Sequence, residues 1–268
     1  MTSADVRVEQ HEGLETAAPP ALPLRDRVAL WGELAIITAL AWFYLIRMPM
    51  APEDLPAIAA RVLKVLPPQA ADVWLTFMMW AVMMVAMMLP SASPMIVMYA
   101  RIARGRGGSP RFATLSFASA YIVVWTLYSV AATAGQFELQ RAAILRSDLT
   151  TPPLIGAIIL VAAGVFQLTP LKDACLGHCR SPLGFFMTQW RAGSGGAFAM
   201  GLKHGAFCVG CCWALMALLF VMGVMNLAWV AALSALVLIE KAMPYGRAIA
   251  RTSGVAMLAA GGAMAFHI

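Results

Sequence analysis

From Phe112 to Gly135 the chain runs 24 residues without one charged side chain. A run of that length, wound as a helix, crosses the hydrocarbon core of a bilayer, and a helix satisfies its backbone N–H and C=O groups from within. Six further apolar runs repeat the pattern: Val28 to Ile46, Val73 to Leu89, Pro153 to Leu168, Ala197 to Val221, Leu227 to Leu238 and Ala250 to His267. Together they predict an all-α fold, a polytopic transmembrane helical bundle of about seven spans. Composition excludes the soluble alternative. Of 268 residues 61% are hydrophobic and 12% charged, too few charges to cover a water-exposed surface, whereas lipid accepts apolar side chains.

Residues 1–24 are polar and acidic, with Glu9, Glu12, Glu15, Pro19 and Pro20, and predict a disordered N-terminal tail ahead of a single transmembrane domain, 25–268. The first apolar run is longer than a signal-peptide core and starts late, so it reads as an uncleaved span. Lys and Arg orient the bundle. With the N-terminus inside, inner segments hold thirteen of them, including Arg25, Arg104, Lys172, Arg180 and Lys241, against five in outer loops. The expectation is a multi-pass protein with a cytoplasmic N-terminus and the lipid bilayer as its first partner. The net charge of +6 follows from these loops. Its one dense patch, Arg101 to Arg111, is a short connection without interleaved aromatics, which argues against nucleic acid as a partner.

Between Met78 and Met98 stand eight methionines in 21 residues. At about 100° per residue, Met79, Met83 and Met87 form one stripe, and Met84 and Met88 another roughly 100° further round. Thioether sulfur is a soft donor suited to Cu(I), and methionine is equally a flexible packing residue between helices. Pro90 and Pro94 follow and are expected to interrupt the helix.

All five cysteines lie between Cys175 and Cys212, a local site rather than a set of staples. Cys175 and Cys179 flank His178 and share a face if that stretch is helical. Within the fifth run His204, Cys208, Cys211 and Cys212 fall on one helical stripe. Thiolates and imidazole converging on one face supply most of a tetrahedral site for a soft or borderline metal ion. The alternative is redox chemistry: Cys208 and Cys211 form a C-x-x-C pair, which a membrane thiol oxidoreductase would cycle between dithiol and disulfide. Ionisable and polar groups inside spans are costly and point to function. Glu33, Gln167, Lys203, Glu240 and Lys241 are of this kind. Glu240 either neutralises a bound cation or pairs with Lys241 or Lys203, and Asn226 is placed to cap the sixth run.

The stretches MMWAVMMVAMMLPSASP (78–94), FQLTPLKDACLGHCRSPLGFF (166–186), and GLKHGAFCVGCCWALMALLFVMGVMNLAWVAAL with VLIEKAMPYG after it (201–246) resemble a bacterial family of predicted metal-binding integral membrane proteins of undefined function. The resemblance implies a metal site in a bacterial inner membrane, with Cys175, Cys179, His204, Cys208, Cys211 and Cys212 as ligands and methionines as auxiliaries. It implies no reaction. The reading is a membrane protein that binds copper, with zinc second. Thiolates capture the ion on the cytoplasmic side and Met83, Met84, Met87 and Met88 pass it across, for transport or for delivery to a membrane or periplasmic metalloprotein.

Overall fold

The computed structural model describes residues 22–48, 68–106, 110–145 and 149–266. The tail expected over 1–24 lies outside them as far as residue 21, as does His267 at the far end. The described residues are helical and contain no strand. In order they form α1 (Leu24–Arg47), α2 (Pro68–Gly105), α3 (Pro110–Arg141), α4 (Pro153–Gln167), α5 (Pro170–Arg180), α6 (Pro182–Gln189), α7 (Gly193–Ala217), α8 (Leu219–Met222), α9 (Leu227–Ala242) and α10 (Gly246–Phe266).

Five helical stretches are long and apolar enough to cross a membrane, and α4 with α5 makes a sixth if that pair, bent by 64°, is one span. Seven is therefore an approximation. The short run from Leu227 is a helix of 16 residues. The outward faces suit lipid: Ile36, Leu40, Phe43 and Ile46 on α1, and Leu115 and Leu127 on α3, are exposed. An aqueous surface would not tolerate so many large apolar groups in one belt.

The prolines do not end the second span. α2 continues for 38 residues through Pro90 and Pro94, contrary to the expected interruption. A helix tolerates proline at membrane depth when neighbouring groups take up the freed carbonyls. Pro94 strips the carbonyl of Pro90 of its usual partner, and Ser93 Oγ donates to it at 2.7 Å. Ser91 Oγ donates to Met88 O at 2.8 Å, and Tyr121 of α3 adds a second bond there at 3.2 Å.

α3 buries one face, including Phe117, Tyr121, Trp125, Ser129, Thr133 and Gln136. Trp80 Nε1 reaches across from α2 to Gln136 Oε1 at 2.8 Å. On its other side α3 lies close against α7, because Gly201 lets the two backbones approach. A Cβ at Gly201 would stand 2.2 Å from Phe117 O and 2.8 Å from Ala120 Cβ. Gly201→Ala is therefore expected to lower stability by about 1–3 kcal/mol through overpacking. Thermal unfolding in detergent checks it against Gly262→Ala, where an added Cβ meets nothing within 4 Å. Equal melting temperatures for the two variants would contradict the close approach. Small residues serve the α4–α10 pair likewise, where a Cβ on Gly164 would stand 2.8 Å from Gly254 O.

The bend between α4 and α5 has a local cause. Thr169 caps α5, its Oγ1 accepting from Lys172 N at 3.3 Å and donating to Phe166 O at 2.7 Å, with Pro170 opening the new helix. The bend turns α5 into the bundle, where Lys172, Leu176 and Cys179 are buried. Asn226 occupies the expected position at the start of α9, but its side chain makes no capping bond.

Candidate metal centre

α7 carries His204, Cys208, Cys211 and Cys212 on its buried side. Spacings of four, three and one keep these residues within a sector of about 100°, so one face of the helix holds all four side chains. Cys211 and Cys212 bring their Sγ atoms to 3.2 Å, and Cys211 Sγ also donates to Cys208 O at 3.2 Å. The α4–α5 bend brings in Cys179, which is buried and whose thiol interacts electrostatically with that of Cys208. Four thiols from two helices thus meet inside the bundle, and all five cysteines of the chain are free.

Cys208 is the hub. Lys241 Nζ of α9 donates to Cys208 Sγ at 2.9 Å and to Ser91 Oγ of α2 at 3.2 Å. The Tyr121 hydroxyl of α3 lies 3.1 Å from the same sulfur while donating to Met88 O. The sulfur is thereby tied, directly or through one side chain, to α2, α3, α5 and α9 as well as its own helix. Behind it stands a second buried network. Lys172 Nζ donates to Cys211 O and to Glu240 Oε2, both at 2.7 Å. Gln167 Nε2 donates to Glu240 Oε1 at 2.7 Å and to Ser253 Oγ at 3.0 Å.

This network corrects the expected pairing of Glu240 with Lys241 or Lys203. Successive residues of a helix point about 100° apart, so Glu240 and Lys241 face different partners. Glu240 pairs with Lys172, and Lys203, exposed midway along α7, bonds to Gln189. Lys172 itself is no loop charge: it is 0% exposed.

The remaining candidates divide. His204 is buried beside the thiols, its ring stacked on Tyr121 at 5.5 Å and Phe117 at 6.0 Å, and its Nδ1 has no hydrogen-bond partner. Cys175 is half-buried, with Sγ 3.1 Å from where a Cβ of Gly210 would stand. His178 is exposed. Its ring stacks on Phe207 at 4.1 Å, with Nδ1 against Ala174 O, and it stands apart from the thiols. Met83, Met84, Met87 and Met88 are all buried, so burial alone does not separate one methionine stripe from the other. Met88 is joined to Cys208 through Tyr121. Two members of the site, Tyr121 and Ser91, carried no signal in the sequence. Lys172 carried a faint one, two residues past a Thr–Pro pair that starts a helix inside an apolar stretch.

By donor type alone the residues suit a soft metal ion: four thiols, and an imidazole whose buried Nδ1 has no hydrogen-bond partner. Among the described residues no group of three or more His, Cys, Asp or Glu side chains stands in an arrangement that could hold a metal ion. Two sulfurs on one tetrahedral zinc ion stand roughly 3.8 Å apart, given Zn–S bonds of about 2.3 Å. The 3.2 Å contact between Cys211 and Cys212 would have to open slightly to admit an ion.

Thiols gathered inside an apolar helical bundle suit either a soft metal ion or dithiol chemistry. A family described as copper chaperone (PpoB2) matches residues 77–264, which takes in α3 to α10 and all but the first turns of α2. The chain belongs to that family. No curated protein and no solved structure matches it. The metal-related part of the family resemblance read from the sequence is met, with copper as the metal named.

Proposed function

We propose that this chain is a multi-pass membrane copper chaperone that holds Cu(I) on Cys179, Cys208, Cys211 and Cys212 and delivers it to a membrane or periplasmic metalloprotein. The observation that carries the reading is the meeting of four thiols from α5 and α7 around Cys208. The family membership supplies the metal. Thiolate is the preferred donor for Cu(I), and His204 Nδ1 is a further donor within the same buried region. Zinc is the second metal the same donors accept. Cys175, one helical turn outward from Cys179, is the position from which an ion passes between a partner and the buried thiols. The bacterial inner membrane with a cytoplasmic N-terminus is the orientation the basic residues favour. Taking the buried Lys172 and Lys241 out of the thirteen inner charges leaves eleven against five outside, the same bias.

The methionines of α2 are the second station for the ion. Their substitution tests the route, because packing and ligation make opposite demands. Leu matches Met in size and apolarity, so such changes in a core cost less than about 1.5 kcal/mol each, yet they remove the sulfur. Met83, Met84, Met87 and Met88 changed together to Leu are expected to leave expression near wild type, to lower copper transfer to an acceptor chelator, and to spare zinc bound at the cysteines. Unchanged copper transfer in the quadruple variant would make these methionines packing residues and confine the site to the thiols.

A further inference from the structure

We propose that Lys241 is the counter-cation of the metal centre: its ammonium group, fixed against Cys208 inside the bundle, holds an anionic Cu(I) bis-thiolate in place. The inference rests on the copper reading above and asks what that site needs beyond its ligands.

Charge accounting leads to it. The bundle interior is a medium in which an uncompensated charge is expensive. Lys172 and Glu240 lie 2.7 Å apart and cancel one another, both 0–1% exposed. Lys241 has no such partner: among the described residues no Asp or Glu carboxylate forms an ion pair with it. The polar and titratable groups that face it are the hydroxyl of Ser91 on α2, the Tyr121 phenol on α3, the Cys179 thiol on α5, and the thiols and the His204 imidazole of α7. Thiol is more acidic than phenol, so sulfur is the group that carries the balancing negative charge.

A monovalent soft ion fits that arithmetic. Cu(I) among the four thiols with two of them ionised, each giving its proton to solvent, and the other two still protonated, leaves a complex of charge −1, which one ammonium neutralises. The contact is already directed, with Lys241 Nζ 2.9 Å from Cys208 Sγ and steadied by Ser91. A divalent ion on the same two thiolates is neutral by itself and leaves the lysine charge uncompensated. Lys241 therefore favours Cu(I) over Zn(II) without touching either ion. It is a positioning and selectivity residue rather than a ligand.

The test uses full-length protein in detergent under anaerobic conditions, titrated with Cu(I) against the chelator bathocuproine disulfonate and separately with Zn(II). Lys241→Met is expected to weaken Cu(I) binding at least tenfold and to leave Zn(II) binding unchanged or tighter, so that the affinity ratio falls. Lys241→Gln keeps a donor for Cys208 and Ser91 but not the charge, and is expected to lose Cu(I) to the same degree. Lys241→Arg restores it. Undiminished Cu(I) affinity in Lys241→Gln would overturn the counter-cation role by assigning the contact to hydrogen bonding alone. Parallel loss of Cu(I) and Zn(II) in all three variants would overturn it in favour of a structural role. A wild-type protein that binds no Cu(I) would instead remove the copper reading on which the inference stands.

Discussion

Lys172→Met is expected to be the most destabilising single substitution at the site, with a loss of about 3–5 kcal/mol, the range for breaking one half of a buried ion pair. The variant leaves the Glu240 carboxylate at 1% exposure with Gln167 as its remaining donor. It also removes the bond that ties α5 to the carbonyl of Cys211, 2.7 Å from Lys172 Nζ, so the thiols of α5 and α7 lose a common anchor. Thermal unfolding in detergent reads the effect as a clear drop in melting temperature. Removing both charges, as Lys172→Met with Glu240→Leu, is expected to recover most of the lost stability, since an apolar pair of similar volume is often as stable as a buried ion pair. A single variant as stable as wild type, or a double variant no better than the single, would contradict the pairing.

The parts of this architecture that obey helical periodicity were legible in the sequence. Apolar runs marked the spans, and spacings of four, three and one placed His204, Cys208, Cys211 and Cys212 on one face of α7. The parts that depend on contact between distant segments were not. Pro90 and Pro94 looked like an interruption because proline removes a backbone donor. The Ser93 hydroxyl takes up the carbonyl that Pro94 frees, and α2 runs on through both prolines. Lys172 looked like a loop charge because nothing in its neighbourhood shows that Thr169 and Pro170 turn α5 inward, towards a carboxylate 68 residues away. Tyr121 sits in an apolar run and meets Cys208 across 87 residues. Glu240 and Lys241 invited pairing because they are adjacent, which is the arrangement a helix forbids.

The largest expected effect on metal handling is that of replacing both Cys208 and Cys211 with Ser. Cys208 contacts Lys241 and Tyr121 directly and interacts electrostatically with Cys179, while Cys211 contacts Cys212 at 3.2 Å. The double change leaves two thiols of the four and puts hydroxyl, a poor donor for a soft ion, at the centre. Hydroxyl and thiol differ little in size, so the fold is expected to survive. Most bound copper is expected to be lost, and a variant retaining wild-type copper would exclude these sulfurs as the ligands.

The central claim, that buried thiols hold copper, is tested most directly by elemental analysis of wild-type protein purified anaerobically from copper-supplemented cells. At least about half an equivalent of copper per chain is expected, with thiols that become alkylatable only after a Cu(I) chelator removes it. Metal-free protein carrying a Cys208–Cys211 disulfide that follows the respiratory state of the cells would contradict the claim and make the chain a membrane thiol oxidoreductase.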